Sequence, residues 1–322
     1  MDLTTAQRRT VEQLIGLGPS PPFLTDLADQ VRRTLEDRLA KAGIAPGEGE
    51  PIWLGKHKLN DRERCEGLFQ AGLLREGPPF QHSPVTASGR LFHKAIELDV
   101  GTERAVDPLS VCERAAGRAS EQDASFGRHW EGLDRFARAE LLMDASRRVS
   151  LFRDSFPPLL RRWAPQPELY VKVVLAGGRV VMSGAPDLVL GRTRKLVIDF
   201  KTGRAWPEHP EDMRFYGLLL LLRTGVPPYR VATFFLDSGE WQSEDVTRQT
   251  LDRAVDRVVD TAQSAVELAA GRRPNLAPGP YCARCPRVAG CPAAAMNRGP
   301  PGETAEAGPP APIASRSEAS SG

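Results

Sequence analysis

The sequence has no long apolar run, almost no net charge and few cysteines, and each shortage excludes something. Its most apolar stretch, Tyr216 to Leu222, falls far short of the roughly 20 residues needed to cross a bilayer, so no membrane association is expected. The opening MDLTTAQRRTVEQL lacks the apolar core of a secretory signal, which gives a cytoplasmic location as the expectation. A formal charge of +2 over 322 residues carries no global signature of a nucleic-acid binder, so any DNA contact has to come from a local patch. No Walker-type phosphate loop is present, which leaves no ATP-driven motor in the chain, and there is no internal repeat. The five cysteines, read in a reducing compartment, point to metal rather than disulfides.

With 41% hydrophobic residues the chain can bury a sizeable core. The basic residues are mostly arginine, with adjacent pairs at Arg32–Arg33, Arg147–Arg148 and Arg161–Arg162. The planar guanidinium suits phosphate, although a solvated helix face is the plainer account of such pairs.

Three textures follow one another. Up to about residue 50 the pattern is helical, with Phe23, Leu24, Leu27, Val31, Leu35 and Leu39 at three- and four-residue steps. From Asp61 to Trp163 it stays mostly helical, broken at Gly77-Pro78-Pro79 and Asp107-Pro108. Then Glu168–Ala176, Arg179–Leu190 and Lys195–Lys201 read as strands, with Gly177-Gly178 as a hairpin turn. A helix near Glu211–Arg223, a strand at Arg230–Leu236 and a long helix near Val246–Gly271 complete the ordered part. Beyond Met296 the chain is Pro, Ala, Gly, Ser and Glu, too poor in large apolar groups to order itself. This order predicts an α/β core with a mixed sheet. The expected divisions are a helical extension over 1–60, a main domain over 61–296 and a disordered tail over 297–322.

The chemistry lies in the strands. In Lys195–Lys201, Leu196, Ile198 and Phe200 share one face, and Asp199 and Lys201 share the other, roughly 6–7 Å apart. Hiding a carboxylate and an ammonium is costly, so the pair should face a cleft. Upstream, Ser183-Gly-Ala-Pro-Asp187 sets another carboxylate at a Gly/Pro break. Two aspartates and a lysine suit phosphodiester hydrolysis. Hard oxygens hold Mg²⁺ or Mn²⁺, which acidifies water, and the lysine steadies the water or the phosphate oxyanion. A structural salt bridge between Asp199 and Lys201 is the plainer alternative.

The cysteines form an independent group. Cys282, Cys285 and Cys291 make C-x₂-C-x₅-C between prolines and a glycine, a ligand loop that requires a fourth partner. Composition leaves Cys65 and Cys112 both open for that place.

Taken together, these residues resemble the PD-(D/E)xK nuclease superfamily, and more narrowly its RecB-type branch, which includes AddB nuclease domains and CRISPR-associated RecB-like exonucleases. Gly184-Ala-Pro-Asp187 is similar to the branch's G-x-x-D strand, and Asp199-Phe-Lys201-Thr-Gly to its D-x-K strand. Gly89-Arg-Leu-Phe-His93-Lys-Ala-Ile-Glu97 resembles its metal-binding histidine helix, although a plain His93–Glu97 helical pair has the same spacing. The resemblance implies a restriction-endonuclease-like fold, with a central mixed sheet flanked by helices behind a helical N-terminal region. It implies His93, Asp187 and Asp199 as metal ligands, Asp187, Asp199 and Lys201 as catalytic residues, and Glu168 as an accessory acid. In the family's Q-x-x-x-Y helix Tyr216 matches, but Asp212 replaces the glutamine, and ionised aspartate accepts hydrogen bonds without donating them. Iron–sulfur members carry a lone cysteine ahead of the histidine helix, which implies a [4Fe-4S] cluster on Cys65, Cys282, Cys285 and Cys291, with zinc on the same thiolates as the alternative. Cys112 is then an ordinary buried cysteine. The implied activity is a DNA exonuclease acting on single strands or ends in repair, recombination or defence, with a separate helicase as partner. A catalytically degenerate DNA-binding scaffold of the same fold is the second possibility.

Overall fold

The computed structural model describes residues 3–15, 26–47, 49–101, 104–203 and 205–297. Phe23, Leu24 and the tail beyond 297 lie outside these described residues. Helices α1 (Thr5–Ile15) and α2 (Leu27–Lys41) precede a short strand, β1 (Ile52–Leu54). Six helices follow: α3 (Lys56–Arg64), α4 (Glu66–Leu73), α5 (Pro84–Gly101), α6 (Pro108–Gln122), α7 (Ala124–Gly132) and α8 (Arg135–Ser155). Next come β2 (Gln166–Pro167), β3 (Val171–Leu175), β4 (Val180–Gly184), β5 (Leu188–Leu190) and β6 (Leu196–Lys201). The order closes with α9 (Glu208–Thr224), β7 (Arg230–Phe235), β8 (Glu240–Asp245), α10 (Arg248–Ala269) and α11 (Pro292–Asn297).

The strands form two mixed sections, β1-β4-β3 and β2-β5-β6-β7-β8. β1 runs parallel to β4, and β6 parallel to β7; the other pairs are antiparallel. The stretch Arg179–Leu190 expected as one strand is split, because Ala185-Pro186-Asp187 interrupts it and proline offers no N–H to a ladder. Opposite that break, the chain between β2 and β3 turns at Glu168, a non-glycine residue with φ +49°. The Glu168 N–H donates to the Asp187 carbonyl at 3.0 Å, which holds the two breaks side by side. The β3–β4 hairpin turns at Gly177 and Gly178, with φ of +58° and +101°. A Cβ at Gly177 would lie 2.8 Å from Pro46, so glycine is required there for space as well as conformation.

Helix α9 is apolar on every side from Leu218 to Leu222 and is correspondingly buried. It packs on β3 and β7 on one side and on α2 and α10 on the other. Val31, Leu35 and Leu39 of α2 join that core. β1, between the stretches read as helical up to about residue 50 and from Asp61, joins the sheet beside β4. The second core lies under α5, α6 and α8, where Leu196, Ile198 and Phe200 project as expected. Phe200 meets Phe152 and Phe156 edge-on at ring separations of 5.4 and 5.6 Å. Asp107-Pro108 does break the chain, and it also starts α6: Asp107 accepts the Ser110 N–H, and proline fits the first helical turn.

Candidate active site and cysteine cluster

Where the two sheet sections part, α5 delivers His93, the chain before β3 delivers Glu168, and the chain before β5 delivers Asp187. One ligand atom from each of these three lies within 4.8 Å of the others. His93 Nδ1 is 3.0 Å from Asp187 Oδ1, yet it is buried without an in-line hydrogen-bond partner. The other Asp187 oxygen accepts the Phe200 N–H at 2.6 Å, which ties the acid to the middle of β6. Glu97 pairs with Lys94 rather than with His93.

Asp199 and Lys201 do share one face of β6, and their charged ends touch. Asp199 is 1% exposed, whereas the Lys201 side chain keeps 21% of its surface open. A second cation, Lys56, stands on the other Asp199 oxygen at 3.2 Å. Its ammonium also lies 5.2 Å from the centre of the Tyr216 ring. Tyr216 donates to the Ala185 carbonyl at 3.0 Å. Its ring reaches the backbone because residue 184 is glycine: a Cβ there would sit 2.8 Å from the ring.

Asp212, one turn before Tyr216 on α9, takes a different course. It accepts from Asn60 Nδ2 at 3.0 Å, and Arg257 holds both Asn60 and Glu63. The acid in the glutamine position therefore anchors α3 to α9 and α10. The structure does not bring it to the His93–Glu168–Asp187 group.

The electrostatics follow from burial and neighbours. Burial pushes the Glu168 carboxyl up to about 7, with the Asp187 charge adding to it. Burial works against charge on His93, but the Asp187 carboxylate outweighs it and raises the imidazole's proton affinity. Burial also opposes ionised Asp199; Lys201 and Lys56 overcome it and hold the carboxyl well below the usual range. A buried imidazole nitrogen without an in-line partner, converging on two carboxylates, fits a divalent cation such as Mn²⁺ or Mg²⁺.

Cys65, Cys282, Cys285 and Cys291 line one cavity of about 180 Å³, walled by Leu276, Val288 and Ala294. Among the described residues no three of these sulfurs come within 4.8 Å of one another. The Gly279 N–H donates to Cys282 Sγ at 3.4 Å. Around the cavity the two ends of the fold are tied directly. Glu66 pairs with Arg272 at 2.8 Å and accepts the Asn275 N–H, Tyr281 donates to the Arg64 carbonyl, and Arg284 pairs with Asp61. Cys112 sits in the core under α5 and α6, and burial pushes its thiol up to about 12.

Residues 57–292 match the family model of the PD-(D/E)XK nuclease superfamily. The chain belongs to that superfamily. Its mixed α/β architecture is that of a restriction-endonuclease-like core, and the chemistry of the superfamily is phosphodiester hydrolysis. The match takes in His93, Glu168, Asp187, Asp199, Lys201 and the four clustered cysteines, and it begins one residue after Lys56. Two solved structures are similar at low identity. One is a candidate exonuclease from Eubacterium rectale, 10% identical, with 85% of this chain and 95% of that one covered and a TM-score of 0.44. The other is SSO0001, 14% identical, with 85% and 98% covered and a TM-score of 0.34. No curated protein matches the sequence.

Within this PD-(D/E)XK protein, Lys56 is the residue that sequence reasoning missed. Nothing around Gly55-Lys56-His57 forms a recognised motif, and only the fold carries it to Asp199. Glu168 was noticed as an acid, but its left-handed backbone was not.

Proposed function

We propose that the protein is a divalent-metal-dependent deoxyribonuclease of the RecB-type branch, acting on single-stranded DNA or DNA ends. The observation that carries this reading is the convergence of His93, Glu168 and Asp187 beside the buried Asp199–Lys201 pair. His93, Asp187 and Asp199 would hold Mg²⁺ or Mn²⁺, with Glu168 as a further ligand. When bound, the cation supplies an acidified water and neutralises charge on the phosphate. Lys201, partly open to solvent, steadies the attacking water or the phosphate oxygens. The Asp187 carboxylate, fixed by the Phe200 N–H, lies 3.0 Å from His93 Nδ1, so the two would share the cation. Tyr216 packs the wall between the β4–β5 break and Lys56.

The single-strand preference is supported by one sheet face. Trp53 and Tyr170 are 48% and 62% exposed, and Lys172 lies 4.9 Å from the Trp53 ring centre. Tyr170 is two residues from Glu168, and Trp53 three from Lys56. Exposed aromatics, one of them beside a lysine, suit unpaired bases and their phosphates. We further assign a [4Fe-4S] cluster to Cys65, Cys282, Cys285 and Cys291, as a staple closing the two ends of the nuclease fold. Cys65 near one end of the fold and the C-x₂-C-x₅-C group at the other, lining one cavity, support it, with zinc on the same four thiolates as the alternative. A cytoplasmic role in repair, recombination or defence, beside a separate helicase, completes the proposal. The second reading, a weakly active or inactive iron–sulfur scaffold, is favoured by one observation, the withdrawal of Asp212 into the Asn60–Arg257 network. End-labelled single- and double-stranded DNA, incubated with Mg²⁺ or Mn²⁺, separates the two. Shortening of the single strand supports the nuclease, and intact DNA with every metal supports the scaffold.

A further inference from the structure

Asp199 is held by two lysines, and a buried carboxylate needs only one. Lys201 is the D-x-K lysine. Lys56 has no motif, comes from the first residue of α3, and approaches from the opposite oxygen. The two side chains are open to almost the same degree, 20% and 21%, while the Asp199 they share is 1% exposed, so solvent reaches the lysines rather than the acid.

We propose that Lys56 is a second substrate-directed lysine, neutralising Asp199 in the metal-free site and engaging the substrate phosphate once a divalent cation takes up that carboxylate. This rests on the nuclease reading above. Three features carry it. First, α3 is fixed independently of the lysine. Asp212 accepts from Asn60 one turn beyond Lys56, and Arg257 braces Asn60 and Glu63. The departure from the family glutamine is thus spent on placing the helix that brings Lys56 in. Second, the side chain has a partner besides Asp199. Its ammonium rests over the face of Tyr216, whose close approach depends on Gly184, and this attraction does not require the carboxylate. Third, the charges balance. Glu168, Asp187 and Asp199 ionised, set against a divalent ion, Lys201 and Lys56, leave one net positive charge for one phosphodiester anion. Without Lys56 the substrate would meet a neutral site.

A purely structural lysine would do something else. It would hold α3 to β6, and its removal would weaken fold and metal site together. Because Lys201 remains on Asp199, losing Lys56 does not strand a buried charge.

The test uses the full chain, Lys56→Met and Lys56→Arg. Mn²⁺ affinity without DNA is read by calorimetry, single-strand affinity in Ca²⁺ by fluorescence anisotropy, and kcat in Mg²⁺ on labelled DNA. Lys56→Met should bind Mn²⁺ at least as tightly as the parent while kcat falls by about 100-fold, the range for losing one charge-stabilising donor. Lys56→Arg should recover about ten-fold of that loss, since a cation is restored with altered geometry. Cleavage by Lys56→Met within about three-fold of the parent overturns the proposal, against a loss of the size expected for a donor. So does Mn²⁺ affinity that falls in step with cleavage. If the parent itself leaves DNA uncut, the nuclease reading fails, and anisotropy then decides the lysine's part. Single-strand binding about ten-fold weaker in Lys56→Met upholds it, and equal binding overturns it.

Discussion

Replacing Glu168 with glutamine should stabilise the metal-free protein at alkaline pH while removing its response to metal. The carboxyl is pushed from 4.5 up to about 7, chiefly by burial and then by Asp187. An acid whose folded pKa is raised contributes stability below its unfolded pKa and loses it as pH rises through the folded value. Metal-free parent protein should therefore weaken between about pH 4.5 and 7. At about 1.4 kcal/mol per unit, the full shift is worth about 3.5 kcal/mol. Solvent screening at a partly exposed carboxylate brings that nearer 1.5 kcal/mol. Glutamine keeps the shape and removes the charge, so Glu168→Gln should melt a few degrees above the parent at about pH 8 and level with it at about pH 5. Mn²⁺ reverses the order: it should raise the melting temperature of the parent at about pH 8 and leave the variant nearly unmoved. Thermal melts of chelator-stripped protein at the two pH values, with and without Mn²⁺, read all four quantities. Parent and variant shifting in parallel with pH would refute the placement of Glu168, and an undiminished Mn²⁺ response in the variant would refute its part as a ligand.

Other expectations follow from the same geometry. Mn²⁺ affinity should fall as pH drops through about 7, because Glu168 gains a proton there and the raised proton affinity of His93 also competes with metal; calorimetry giving a flat profile would count against both. Cys65→Ser should lower bound iron and the broad visible absorbance of the anaerobically purified protein, while Cys112→Ser should leave iron unchanged, and the opposite pattern would move the fourth ligand. Gly184→Ala forces a Cβ to 2.8 Å from Tyr216, and such overpacking costs about 1–3 kcal/mol, so a denaturation midpoint equal to the parent's would show that the ring has room to move.

How much of this was legible beforehand depends on how local each feature is. The D-x-K strand could be read because alternation sorts Asp199 and Lys201 from Leu196, Ile198 and Phe200 within one short segment. The helices could be read from their periodic stripes, as in Val31, Leu35 and Leu39. β1 and β8 were missed for physical reasons. β1 is three residues long, and the Glu-Trp-Gln-Ser-Glu-Asp of β8 is a polar edge strand whose pairing comes entirely from β7. The split at Pro186 was visible as a Gly/Pro break but not as the gap between two sheet sections. Lys56 could not be read at all: its meaning lies in a contact with Asp199 across 143 residues of sequence. Asp212 was visible as a departure from the glutamine, but its partners Asn60 and Arg257 belong to two other helices.

The central claim is that His93, Asp187, Asp199 and Lys201 form one nuclease site, and it is tested most directly by pairing cleavage with metal occupancy in Lys201→Ala. At saturating Mn²⁺ the parent should degrade labelled DNA. The variant should still bind Mn²⁺ and cut about 100- to 1,000-fold more slowly, as for the loss of a charge-stabilising donor. A parent that leaves DNA intact, or a metal-loaded variant that cuts as fast as the parent, would contradict the account.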